Sequence, residues 1–191
     1  MTELIAGLVL FLGMHSTSIV APALRDRLAA RGRGIPWRLA YSLVSIAGFV
    51  LIVRGYADAR LSPELLYSPP GWTRHLLATL MLPVFPLLLA AYLPGRIKAA
   101  AGGHPMLVAT KLWALGHLLG TTTVADAVLF GSILAWAVAD FISARRRAPR
   151  AIPGAPPARW NDAIAVLLGL ALYGGFAGFL HLKWIGIAPF G

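Results

Sequence analysis

The chain contains no cysteine. That excludes a disulfide framework, a thiolate metal ligand and a haem attached covalently through a CxxCH motif. Carboxylates are also scarce: 7 Asp and Glu stand against 17 Lys and Arg, and charged residues make up 13% of the chain. Soluble domains carry roughly 25% charged residues. No Lys or Arg precedes Arg25, so the basic n-region of a secretory signal is missing. The first apolar run is long enough to span a bilayer and is expected to remain in the mature protein.

Long apolar runs are what the chain does have. It is 58% hydrophobic over 191 residues, with mean hydropathy +0.73. This composition predicts an all-α, polytopic integral membrane bundle forming a single domain over residues 1–191. A span needs about 20 mostly apolar residues. Six are expected: Glu3–Leu24, Trp37–Val53, Arg74–Leu93, His104–Thr121, Val124–Ile142 and Ala163–Lys183. Pro83 and Pro86 make a kink or a re-entrant path the alternative for the third. Arg25–Pro36, Ser62–Thr73 and Arg145–Arg159 read as linkers, and a tight turn around Thr121–Thr123 joins spans four and five.

The net charge of +10 does not point to nucleic acid, because the cations fall in short clusters between apolar runs. Arg25, Arg27, Arg31, Arg33 and Arg38 lie in or beside the first loop. Arg96 and Lys98 lie in the third, and Arg145, Arg146, Arg147, Arg150 and Arg159 in the fifth. In the second loop Arg54, Arg60 and Arg74 are offset by Asp58 and Glu64, and the fourth has no basic residue. By the positive-inside rule the odd loops face the cytoplasm and both termini face the other side.

Two of the five histidines sit deep in these runs. At 1.5 Å rise per residue, His15 lies roughly 18 Å below the outer surface and His117 roughly 20 Å above the inner one. In a hydrocarbon core about 30 Å thick their depths match. Ionisable groups at such depth face a bundle interior or a functional cavity. His75 and His181 fall near outer span ends and His104 at an inner end. Regular rise separates His104 from His117 by about 20 Å, so they cannot share a metal. His181 follows Gly174 and Gly178, a small face that suits close helix packing or a flat ligand. Ser16, Thr17 and Ser18 follow His15, and such hydroxyls commonly bond back to their own helix. Lys111 can snorkel to the cytoplasm, pair with Asp140 or hold an acid group.

Structural zinc takes four protein ligands and catalytic zinc three, and a non-haem iron triad needs a carboxylate. No carboxylate lies at the depth of His15 and His117. Haem needs only two axial ligands from the protein, so this pair points to non-covalent haem b. A structural or proton-passing role for the histidines is the alternative.

Several segments carry a family resemblance: GLVLFLGMHSTSIVAP around His15, YSLVSIAGFVLIVRGYADAR at 41–60, PPGWTRHLLATLMLPVF at 69–85, YLPGRIK at 92–98, HPMLVATKLWALGHLL at 104–119, VLFGSILAWAVADFISARRR at 128–147 and WNDAIAVLLGLALYG at 160–174. In order and spacing they resemble the NnrU family of bacterial membrane proteins. The resemblance implies the bacterial inner membrane and a link to denitrification, in the reduction of nitrite and nitric oxide. The family is related to the 15-cis-zeta-carotene isomerases, integral membrane enzymes whose haem b is held by two histidines and whose isomerisation is redox-dependent. By motif position those histidines correspond to His15 and His117. The implied partners are the bilayer, a lipophilic substrate or nitric oxide, and a membrane redox partner. The implied activity is that of a haem-dependent isomerase or oxidoreductase, with a non-enzymatic accessory, scaffold or transporter as the alternative. Where the isomerases carry a cysteine three residues before the second histidine, this chain has Ala114, so ligand switching to sulfur is excluded. The Asn-Gly-Asp turn of many members is replaced here by Leu119 to Asp126.

Overall fold

The computed structural model describes residues 1–120, 122–148, 150 and 152–190, with Arg33 described in its backbone alone. Thr121, part of the expected fourth span and of the turn after it, lies outside the described residues. The protein is an all-helical, multi-pass membrane protein. Among the described residues, five stretches are long and apolar enough to cross a membrane: Thr2–Val20, Ile35–Ala59, Thr73–Ala90, Val124–Ala144 and Asn161–Ile185. The chain divides into two compact units, Met1–Ser68 with Thr122–Ser143, and Pro69–Thr121 with Ala144–Gly191.

The first unit holds α1 (Thr2–Val20), α2 (Pro22–Ala30), a 3₁₀ turn (Arg31–Gly34), α3 (Ile35–Ala59) and α8 (Val124–Ala144). Helix α1 stops before Pro22, whose ring bars the preceding residue from helical geometry; Ala21 takes φ −139°. The expected linker Arg25–Pro36 is itself helical over most of its length. Pro36 opens α3 rather than preceding it, because proline's missing N–H costs nothing in a first turn. Gly34 supplies the left-handed residue, φ 76°, that the entry to α3 requires.

Helices α1 and α3 run antiparallel at backbone contact. A Cβ on Gly7 would lie 2.6 Å from the Ile52 nitrogen, and one on Gly48 would lie 2.7 Å from that of Phe11. Small residues replace the hydrophobic drive that lipid removes between apolar helices. Helix α8 is tied to α3 at its first turn. The Thr123 hydroxyl accepts from the Asp126 N–H at 3.2 Å, and the Asp126 carboxylate accepts from the N–H groups of Thr122 and Thr123 at 3.2 and 3.0 Å. This reciprocal capping box satisfies helix N–H groups that have no partner within α8. The other Asp126 oxygen accepts from the Tyr56 hydroxyl of α3.

The second unit holds α4 (Thr73–Met81), α5 (Val84–Ala90), α6 (Arg96–Ala100), α7 (Pro105–Gly120), α9 (Asn161–Gly175) and α10 (His181–Ile185). The third expected span is interrupted where its prolines fall. Pro83 has no N–H for the Thr79 carbonyl, so the Leu82 N–H turns to it at 3.3 Å. The Tyr173 hydroxyl of α9 donates to the neighbouring Ala78 carbonyl at 3.1 Å. Gly169 of α9 lets Pro86 approach, and Met81, Val84 and Ala109 form a buried core between α4, α5 and α7. The expected span His104–Thr121 appears as the 16 residues of α7, about 24 Å at helical rise and so short of a full hydrocarbon core. Between α9 and α10, Phe176–Leu180 form a π turn. At the start of α9, Asn161 donates to the carbonyls of Pro94 and Pro156 at 2.8 and 3.0 Å, while Asp162 accepts from the Arg96 and Ile97 N–H groups at 2.8 and 3.1 Å.

Candidate functional site

His15 lies in the C-terminal half of α1, half-buried, walled by rings from three helices of the first unit. Phe11 of α1 is 4.2 Å away between centroids, Tyr41 of α3 5.1 Å, and Trp136 of α8 5.7 Å, the last edge-on at 89°. Its Nδ1 is 2.7 Å from the Phe11 carbonyl oxygen. A carbonyl only accepts, so in this bond Nδ1 carries the hydrogen. In a neutral imidazole the lone pair then belongs to Nε2.

His117 repeats this arrangement on α7 of the second unit. Its Nδ1 is 2.8 Å from the carbonyl oxygen of Trp113, and the two rings lie 5.1 Å apart at 45°. Each deep histidine is thus preceded by an aromatic residue one helical turn earlier, which supplies both a stacking ring and the carbonyl that fixes the tautomer. Metal-ligating histidines almost always give their second N–H to a carbonyl or carboxylate, which orients the ring and raises the basicity of the ligating nitrogen.

Ala114, three residues before His117, is fully buried, so its small side chain meets packing rather than open space. The NnrU family profile matches residues 3–189. The chain belongs to the NnrU family. No significant match was found among curated proteins or among solved structures. The NnrU match runs through both units and includes both deep histidines.

The other histidines are placed differently. His181 donates from Nδ1 to the carbonyl of Ile187 at 2.8 Å and meets Phe176 edge-on at 5.8 Å, so it pins the chain that follows α10. His75 is exposed on α4, His104 is half-buried just before α7, and Lys111 is half-buried on α7. Among the described residues no three His, Cys, Asp or Glu side chains converge as a metal cage. The small face at Gly174 and Gly178 makes no close helix packing: a Cβ on either would meet nothing within 4 Å. Close backbone packing falls at Gly7, Gly48 and Gly55, and on α9 itself at Gly169, instead.

Three further residues matter to these surroundings. Trp136 and Tyr41 wall His15 from helices distant in sequence, and no local pattern announces them. Asp126 is 7% exposed, and the Thr123-x-x-Asp126 spacing of a capping box could have found it.

Proposed function

We propose that this NnrU protein binds haem b and that His15 and His117 would hold it. The observation that carries the reading is the matched pair of Nδ1–carbonyl bonds, 2.7 Å at His15 and 2.8 Å at His117. Each presents Nε2 as the donor an axial ligand needs. The donor set fits the group: two imidazoles, each with Nδ1 against a backbone carbonyl, for a cofactor whose macrocycle brings its own four nitrogens. When bound, haem b would supply one-electron chemistry.

The chain's own residues set the terms of that chemistry. Phe11, Tyr41 and Trp136 set aromatic rings against the His15 imidazole and hold it in place. Trp113 lies tilted against the His117 ring at 5.1 Å. With Ala114 at the third position before His117, and no cysteine in the chain, no thiolate competes for the iron. NnrU proteins are linked to denitrification gene expression. The proposed role is therefore in nitrite and nitric oxide reduction, or in redox-dependent isomerisation of a lipophilic substrate. The proposed site is the bacterial inner membrane, with odd loops cytoplasmic and both termini outside.

The test is the absorption spectrum of the full chain purified in detergent with haem supplied, beside His15→Ala and His117→Ala. A Soret band with low-spin features that either substitution alters supports the reading. A wild-type protein without a Soret band overturns it in favour of histidines that serve packing or proton transfer. A spectrum that only His181→Ala abolishes overturns the ligand assignment.

A further inference from the structure

Inside the first unit, the Ser45 hydroxyl of α3 and the Trp136 indole N–H of α8 are buried and find no hydrogen-bond partner among the described residues. Helical hydroxyls usually bond back to their own helix, as Thr17 does to the Met14 carbonyl at 2.8 Å. In a bundle surrounded by lipid, a polar group left unpaired is costly. Register brings the two groups together. Tyr56 of α3 donates to Asp126 of α8, and Tyr41 lies within electrostatic reach of Asp140. Ser45 is one helical turn from Tyr41, and Trp136 is one turn from Asp140, each on the side of the Tyr56–Asp126 tie, so the two sit at the same level. On the other flank, Gly48 abuts Phe11. One turn further along both helices, Ser45 falls level with His15. His15 and Trp136 themselves meet edge-on at 5.7 Å. Side chains of three helices thus share one layer.

Their chemistry defines what can sit among them. An indole N–H only donates, and a serine hydroxyl does both. With Nδ1 giving its hydrogen to the Phe11 carbonyl, Nε2 of a neutral His15 only accepts. A partner for all three must accept and donate at once. An anion has no hydrogen for Nε2, and a metal cation has no lone pair for the indole. Two hydrogen bonds through a single oxygen reach about 5.8 Å, the scale of the His15–Trp136 separation, so one oxygen atom suffices. We propose that Ser45, Trp136 and His15 bind a single internal water. It accepts from the indole N–H, donates to Nε2 of His15 and pairs with the Ser45 hydroxyl. Buried waters typically make about three such bonds to groups otherwise unsatisfied. The polar layer continues through Tyr41 and Asp140 toward Arg25 of α2, the direction from which water would enter. In the haem-free chain this water satisfies Nε2 and steadies the ring, and any ligand that takes Nε2 must first displace it. No residue or step here requires haem.

The test uses the haem-free full chain in phosphatidylcholine nanodiscs. Ultraviolet resonance Raman reads the indole band that reports hydrogen bonding at Nε1, and subtraction of Trp136→Phe isolates Trp136 from the other tryptophans. Infrared spectra in ordinary and ¹⁸O-labelled water identify the partner, with Ser45→Ala subtracted from wild type. Trp136 is expected to be hydrogen-bonded in wild type. The subtraction is expected to leave an O–H stretching band that shifts with ¹⁸O, and His15→Phe should lose the same band. Circular dichroism checks the helices of each variant. Ser45→Ala, which deletes one oxygen, decides where His15→Phe fails to fold. A free Trp136 N–H in wild type overturns the proposal. So does a bonded Trp136 with no ¹⁸O-sensitive band lost in Ser45→Ala, which would mean direct contact between side chains. Retention of that band in a folded His15→Phe overturns it as well. A chain that never takes up haem would leave all of these results unchanged.

Discussion

Gly48 of α3 lies against the backbone of Phe11 of α1, so close that a Cβ at position 48 would fall 2.7 Å from the Phe11 nitrogen. Phe11 is the residue whose carbonyl holds the His15 ring. The contact between two helices thereby sets the position of the imidazole. Gly48→Ala should force α1 away from α3, at about 1–3 kcal/mol as overpacking usually costs. Thermal unfolding in detergent should show a lower midpoint than wild type. An unchanged midpoint would mean that the two helices part without cost.

The paired tautomer clamps carry a second expectation. In His15→Gly or His117→Gly the haem should lose one axial ligand and turn high-spin. Added imidazole should then restore the low-spin spectrum, because the missing side chain leaves room for it. Absorption spectra with and without imidazole read this directly. A variant that stays low-spin without imidazole would remove that residue from the ligand pair.

The capping box at the start of α8 should behave as one unit with Tyr56. Thr123→Ala should cost about 1 kcal/mol, the usual value of a helix cap. Tyr56→Phe should cost about 1–3 kcal/mol, since it leaves a buried carboxylate oxygen without its donor. Both groups act on Asp126, so the double variant should depart from the sum of the single ones. Chemical denaturation of the four proteins closes that cycle. Strict additivity would show that the cap and the α3 contact are independent.

The orientation is open to a direct chemical test, because a chain without cysteine gives no background labelling. Ser62→Cys and Ala155→Cys both place a thiol at an exposed position. In intact cells stripped of the outer membrane, an impermeant maleimide should label Cys at 62 and spare Cys at 155. Labelling reversed between them would turn the topology over.

The long apolar runs made the spans legible, since hydrophobic length is almost the whole signal for a helix in lipid. Helix ends were less so. Pro36 looked like a breaker and proved to be a starter, a distinction that depends on its place within the first turn. The break at Pro83 was foreshadowed, whereas its repair by Tyr173 was not, because that hydroxyl comes from a helix far along the chain. The same limit applies to the site. Phe11 and Trp113 can be read four residues ahead of their histidines. Trp136 and Tyr41 reach His15 only once α1, α3 and α8 have packed. The glycines at 174 and 178 suggested close packing by spacing alone, yet the helix contacts fall at Gly7, Gly48, Gly55 and Gly169.

The first unit is assembled from two stretches of chain, with about half of the second unit encoded between them. During synthesis His15 enters the membrane almost at once, but the indole that walls it belongs to a helix made much later. Domains generally fold as units as the chain emerges. Here the unit cannot close until α8 has been inserted, so the early hairpin of α1 and α3 must wait with one side of the histidine bare. Loading of the proposed haem would thereby be tied to a late moment in translation, and a chain truncated before α8 would leave its histidine without its Trp136 wall.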